Sequence, residues 1–152
     1  MSNNVLAPEL TLRTGELSDC ECVTGLMREI NYPMTCAVMR ERMESIEADP
    51  KACIMMAEVD GKVAGAIGVQ IVKSHAHPEP AAQITLLIVS NEYRREGIGR
   101  RLVAQAEAWG KEHGGVQMVV TGANRERNAV ALDFYEHIGF EKHGYRLIKK
   151  LK

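Results

Sequence analysis

Two apolar runs, Ala52 to Val59 and Lys62 to Val72, flank the dipeptide Asp60-Gly61, and no other feature of the 152 residues restricts the fold as strongly. Asp-Gly between strand-like runs suits a two-residue turn whose central positions need positive φ, so the segment reads as an antiparallel β-hairpin. Upstream, Glu9 to Arg13 reads as a first strand. Ser18 or Asp19 caps a helix whose apolar residues Val23, Leu26, Met27 and Ile30 recur at helical spacing, and Tyr32-Pro33 ends it. A second helix runs from about Thr35 to Ala48 with Met39, Met43 and Ile46 on one face, until Asp49-Pro50 breaks the pattern.

Downstream, the polar, proline-containing stretch His75 to Pro80 reads as a loop before a central strand, Ile84 to Val89. Leu102, Ala106 and Trp109 then mark a helix from about Gly97 to His113, stopped by Gly114-Gly115. A strand from Val116 to Thr121 and a helix from Asn128 to Ile138 follow, with Gly139 ending the helix and Phe140 onward read as terminal strands. The predicted fold is therefore α/β, one domain over residues 1–152. A central, mostly antiparallel sheet of six to seven strands is flanked by about four helices.

Composition excludes several alternatives. With 45% hydrophobic and 26% charged residues the chain is too apolar for intrinsic disorder, and no window approaches the ~18 apolar residues of a membrane span. The first ten residues lack the basic start and apolar stretch of a secretory signal, so a cytoplasmic protein without membrane partners is expected, its four cysteines as thiols. Charge is divided along the chain: residues 1–76 hold 7 Lys and Arg against 11 Asp and Glu, a net of −4, and residues 77–152 hold 12 against 9, a net of +3. Such a division suggests two kinds of ligand.

The stretch from Tyr93 to Arg101 lies where the strand ending at Val89 hands over to a helix, and physically it is an anion site. Backbone N–H groups of a first helical turn have no intrahelical acceptors, and the helix dipole adds positive potential there. Gly97 and Gly99 allow close backbone approach, and Arg94, Arg95, Arg100 and Arg101 add charge. Phosphates are the natural guests. Neither familiar phosphate loop fits, because no G-x-x-x-x-G-K-[ST] is present and Leu102 stands where a dinucleotide fingerprint has its third glycine. Nucleic-acid binding is not expected either, since the basic residues are not interleaved with stacking aromatics and the chain has seven aromatics in all.

Arg94-x-x-Gly97-x-Gly99, after an apolar strand and opening an amphipathic helix, resembles the acyl-CoA pyrophosphate loop of the GNAT superfamily of N-acetyltransferases. The run from Asn128 to Phe140, with Ala131, Leu132, Phe134, Tyr135, Glu136 and Gly139 in register, is similar to that family's second signature. The resemblance implies an N-acetyltransferase that uses acetyl-CoA as cosubstrate and a primary amine as acceptor, without a metal. Backbone groups from Arg95 through Glu96, Gly97, Ile98 and Gly99 to Arg100 would hold the pyrophosphate, with Arg94 beside them. Leu87, Ile88 and Val89 would pair their backbone with the pantetheine arm, one N–H polarising the thioester carbonyl. Asn128 would hydrogen-bond the pantetheine, and Tyr135 would protonate the departing thiolate. Independently of the family, Asn128 and Tyr135 are seven residues apart and share one helix face, and a phenol with pKa near ~10 holds its proton at neutral pH. Tyr135 as a core aromatic and Asn128 as a helix N-cap are the plainer alternatives.

Many GNAT relatives place a glutamate about where Gln83 stands here, and an amide cannot act as a base. Water held by Gln83, or His75, His77 or Glu79 in the preceding loop, are the substitutes the sequence offers. The acidic first half suggests a cationic acceptor. An acyl-CoA sensor or scaffold of the same fold is the alternative function, sharpened by Gln83. Homodimerisation is expected by analogy with the family alone. Cys20-x-Cys22 is spaced too tightly for a zinc knuckle, the cysteines read as core side chains, and Met27, Met34, Met39, Met43, Met55 and Met56 read as core packing or as a flexible acceptor pocket.

Overall fold

The computed structural model describes residues 9–94, 96–121, 129–144 and 147–151. Its five strands are β1 (Leu10–Thr14), β2 (Ala52–Val59), β3 (Lys62–Ser74), β4 (His77–Val89) and β5 (Met118–Val120). They form one sheet in the order β1-β2-β3-β4-β5, with every neighbouring pair antiparallel except β4 and β5. The helices are α1 (Cys20–Glu29), α2 (Cys36–Glu47), α3 (Ile98–Glu112) and α4 (Ala129–His137). No described helix is long and apolar enough to cross a membrane.

The hairpin forms about Asp60-Gly61, where φ is 50° and 82°, as a two-residue turn of that composition requires. Helices cover both faces of the sheet. Leu102, Val103 and Ala106 of α3 and Tyr135 of α4 pack on Met55, Ala57, Ile67, Val69 and Ile84. On the opposite face Val23, Leu26 and Met27 of α1 and Met39 and Met43 of α2 pack on Ile54, Met56, Ala66 and Ile88. Met27, Met34, Met39, Met43, Met55 and Met56 are all buried, so their unbranched side chains fill the core.

Strand β4 changes face part-way along. Gly68 pairs with Leu86 and Val69 with Ile84, which leaves Thr85 as an extra residue. Before this bulge Ala82 and Ile84 face α3; after it Leu87 and Val89 do, while Leu86 and Ile88 turn to α1. One inserted residue shifts a period-two pattern by one, so every later side chain exchanges faces.

Three expectations are corrected. The stretch 75–80 is not a loop: His75-Ala76 make a tight turn and β4 begins at His77. Pro78 and Pro80 are tolerated because β5 pairs only with Ala82 to Ile84, so the prolines lie at an edge where a missing N–H breaks little. The sheet has five strands rather than six to seven among the described residues, and those from Phe140 onward form none. Leu147, Ile148 and Leu151 there are 91%, 70% and 92% exposed, and among the described residues no strand pairs with them to supply ladder hydrogen bonds. Finally, Asp19 does not cap α1 with its side chain. Its carboxylate instead accepts from the Glu16 N–H at 2.8 Å and from Arg13 through two bonds of 2.8 Å, and the Arg13 bonds hold its pKa below the ordinary carboxylate value.

Candidate active site

The site is assembled where β4 ends. Ser90 donates its N–H to the Ala64 carbonyl at 2.7 Å, still in the ladder with β3, and the Ile88 carbonyl lies over Gly65, where a Cβ would meet it at 2.8 Å. Peptide groups alternate in direction along a strand, so the main chains of Leu87 and Val89 point the other way. Among the described residues no strand pairs with that edge beyond Ile84, where β5 ends. Of the three residues expected to pair with a pantetheine arm, Leu87 and Val89 present their N–H groups to the opening, whereas Ile88 is committed to β3.

Beyond Ser90 a single 3-10 turn, Asn91 to Tyr93, leads to Arg94, which is exposed and donates from Nε to the Val89 carbonyl at 3.4 Å. Arg95 lies outside the described residues. Gly97 then adopts φ 79°, a left-handed conformation that glycine takes without Cβ strain, and no atom lies within 4 Å of the place a Cβ would occupy. Helix α3 starts at the next residue. The first intrahelical bond is Arg101 N–H to the Gly97 carbonyl at 3.1 Å, so the N–H groups of Ile98, Gly99 and Arg100 have no intrahelical acceptor. No side chain at Gly97 can cap them. Glu96 and Arg100 are exposed beside this turn.

Gly99 serves a different purpose from Gly97. A Cβ there would stand 3.2 Å from Phe134 Cζ, so its absence lets α4 lie against the first turn of α3. This contact carries Tyr135 into the cluster that holds Leu87, Val89 and Ile98. Tyr135 is 6% exposed and packs edge-on against Phe134 and Phe140, each with ring centroids 5.2 Å away. Burial pushes its phenol up to about 12. The ring therefore keeps its proton across the whole neutral range. It is a weaker acid than an exposed phenol. Asn128, the other residue expected on this helix, lies outside the described residues.

These features meet in one family. Its family model, described as acetyltransferase (GNAT) family, matches residues 24–140. The chain belongs to the GNAT acetyltransferase family. Among curated relatives, N-acetyltransferase family 8 member 3 of Rattus norvegicus is 34% identical over 104 residues, 66% of this chain and 45% of the relative. The probable N-acetyltransferase camello of Xenopus tropicalis is 32% identical over 135 residues, 84% of this chain and 57% of the relative. The chain thus spans about half the length of the curated relatives it matches. A solved structure of the aminoglycoside N-acetyltransferase AAC(6')-Iy in complex with CoA superposes with a TM-score of 0.84 at 17% identity, over 96% of this chain and 97% of that one. The glucosamine-6-phosphate N-acetyltransferase of Arabidopsis thaliana gives a TM-score of 0.73 at 21% identity, over 95% and 99%. At these identities the likeness is one of fold.

Within this GNAT fold the bases offered by the sequence fall out of reach. His77 is ten residues from Leu87 along a continuous strand, which at about 3.3 Å per residue is roughly 33 Å. His75 is farther still, and Glu79, eight residues away, is roughly 26 Å off by the same rise. The extension of β4 through the proline stretch removes all three from the opening. Gln83 is nearer, and its amide oxygen stands 3.5 Å from Nε2 of Gln70 on the adjacent strand.

One contact at the site has no signal in the sequence. The carboxylate of Glu29, at the end of α1, accepts from the Asn91 N–H at 2.8 Å and from the Ser90 hydroxyl at 3.2 Å. It fixes the turn between β4 and the start of α3 from 61 residues away, a separation no local pattern bridges.

Proposed function

We propose that the chain transfers an acetyl group from acetyl-CoA to a primary amine by direct attack, without a covalent enzyme intermediate. The observation that carries this is the uncapped start of α3 after left-handed Gly97, set beside the open edge of β4. The three N–H groups of Ile98, Gly99 and Arg100, with Arg94 and Arg100 nearby, suit a pyrophosphate. The N–H groups of Leu87 and Val89 suit an extended amide arm and a polarised carbonyl. When bound, acetyl-CoA supplies the activated acetyl thioester. Tyr135 holds a proton at its hydroxyl for the leaving sulfur, in apolar surroundings that exclude water.

The acceptor in this proposal is a cationic small molecule or a peptide amine. Glu21, Glu29, Glu41, Glu44 and Glu47 of α1 and α2 are exposed, in keeping with the −4 balance of the first half. Amine deprotonation is assigned to solvent water, since His75, His77 and Glu79 are remote. Homodimerisation belongs to the same proposal. Exposed Leu147, Ile148 and Leu151 would be covered by a second copy, at a cavity of about 400 Å³ lined by Met118, Ile138 and Phe140 beside β5. Light scattering of the full chain and of L147D/L151D tests this: a dimer that the substitutions dissociate is expected, and a wild-type monomer refutes it.

The deciding experiment is calorimetry with acetyl-CoA and CoA, with Gly97→Trp as the blocked-loop control, followed by an amine panel read by thiol release. Binding abolished by the substitution, with thiol release from a polycationic amine, is the expected result. Binding without release from any amine would replace the enzyme by an acyl-CoA sensor of the same fold. No binding refutes both. If neutral or anionic amines outcompete polycationic ones at low ionic strength, the cationic acceptor is refuted.

A further inference from the structure

Cys20 is the first residue of α1 and Cys36 the first of α2. The fold brings their sulfurs to 3.2 Å, about 1.2 Å beyond the bonded S–S length of about 2.05 Å. Cys20 is buried at 4% exposure beneath the helices, and Cys36 is half-buried. Cys22 is exposed, and Cys53 lies half-buried in β2. The segment joining the two helices carries Asn31 at φ 61° and the exposed side chains of Ile30 and Tyr32, and it returns the chain from the end of α1 to a point where the first residue of α2 meets the first residue of α1.

We propose that Cys20 and Cys36 are a dithiol modification site, converted to an intramolecular disulfide by a peroxide or a low-molecular-weight disulfide. Cys36 is the entry sulfur because it alone of the two reaches solvent. With hydrogen peroxide its thiolate attacks one oxygen, the O–O bond breaks, and the second oxygen leaves as hydroxide, which takes up a proton to become water. The Cys36 sulfur is then a sulfenic acid. The Cys20 sulfur attacks it, the S–O bond breaks, and the oxygen leaves as water with the Cys20 proton. Two thiols lose two electrons and two protons, and one peroxide becomes two waters. The hydrogen bond with Cys20 raises the Cys36 pKa, so the first step quickens as pH rises.

The bond would pin α1 to α2. Because α1 also carries Glu29, which holds Ser90 and Asn91, oxidation would stiffen the turn that leads into α3 and change the KM for acetyl-CoA more than kcat. That consequence rests on the acetyl-transfer proposal; the disulfide does not.

The test treats the full chain at pH 8.5 with hydrogen peroxide or oxidised glutathione, alkylates, digests without reduction and maps linked peptides. Free thiols are expected to fall from four to two, reversibly with dithiothreitol, with residues 14–28 linked to residues 29–40. The melting temperature should rise by about 5 to 10 °C, as a closed loop of this length predicts. Cys20 and Cys22 share the first peptide, so single serine variants assign the partner: C22S should retain the link, and C20S and C36S should lose it. C36S, at a half-buried position, keeps the test informative if C20S fails to fold. Persistence of four thiols, or a link that survives in C20S and is lost in C22S, overturns the proposal. Absence of acetyl transfer with any amine, alongside a mapped link, would count against the transferase alone.

Discussion

Replacing Tyr135 by Phe removes one oxygen from a side chain that is 6% exposed and wedged between Phe134 and Phe140. The ring shape is kept, so helix packing and the affinity for acetyl-CoA should be unchanged to within about threefold. Loss of a positioned proton donor typically costs 10² or more in rate, about 2.7 kcal/mol of transition-state stabilisation. The assay is thiol release under saturating acetyl-CoA, giving kcat separately from KM. A second readout needs no substrate. Burial raises the folded phenol to about 12 from its ordinary 10, so its stabilising contribution is complete below pH 10 and is lost as pH rises towards 12. At pH 11 the loss amounts to about 1.4 kcal/mol, or about 3 to 5 °C in melting temperature for a chain of this size. The phenylalanine variant has no such loss. Relative to wild type it should therefore gain stability between pH 9 and pH 11. If the variant retains more than about a third of wild-type kcat, Tyr135 is not the proton donor. If the stability difference stays flat to pH 11, the burial argument fails.

Gly97→Val should weaken CoA binding by about tenfold or more and cost about 1 to 2 kcal/mol in denaturant unfolding, because the strain comes from φ 79° and not from any neighbouring atom. Glu29→Ala should raise the KM for acetyl-CoA by about three- to tenfold with kcat changed less, by freeing the Ser90–Asn91 turn, and Glu29→Gln should recover part of the loss because its amide oxygen still accepts one hydrogen bond. Asp19→Asn should flatten the acid limb of the stability curve: the Arg13 bonds lower the Asp19 pKa, so the wild-type contribution is present above pH 4 and disappears as pH falls through the folded-state value, as a urea-midpoint series from pH 5 to pH 2 would show. Leu102→Ala, at a position with no exposure, should cost about 2 to 5 kcal/mol by the same measurement.

Local chemistry determined much of this protein. Helical spacing of apolar residues, Thr35 accepting from the Val38 N–H at the start of α2, Asp60-Gly61 at the hairpin and the glycines that end α3 and α4 act within a few residues, so α1 to α4, β2 and the body of β3 were legible in the sequence. So was the uncapped start of α3 after left-handed Gly97, because it is a property of neighbouring residues. What depended on partners distant in the chain was not. Whether Pro78 and Pro80 break a strand depends on how far β5 extends. Whether Gly99 serves a ligand or a helix depends on Phe134, and whether His77 is a base depends on its distance along β4. Thr85 looks like any strand residue until its register against Gly68 exposes it as a bulge that turns Leu87 and Val89 towards the opening. The hold of Glu29 on Ser90 and the approach of Cys20 to Cys36 are meetings of residues that share no local pattern, and only the packing of α1 against the sheet and α2 decides them.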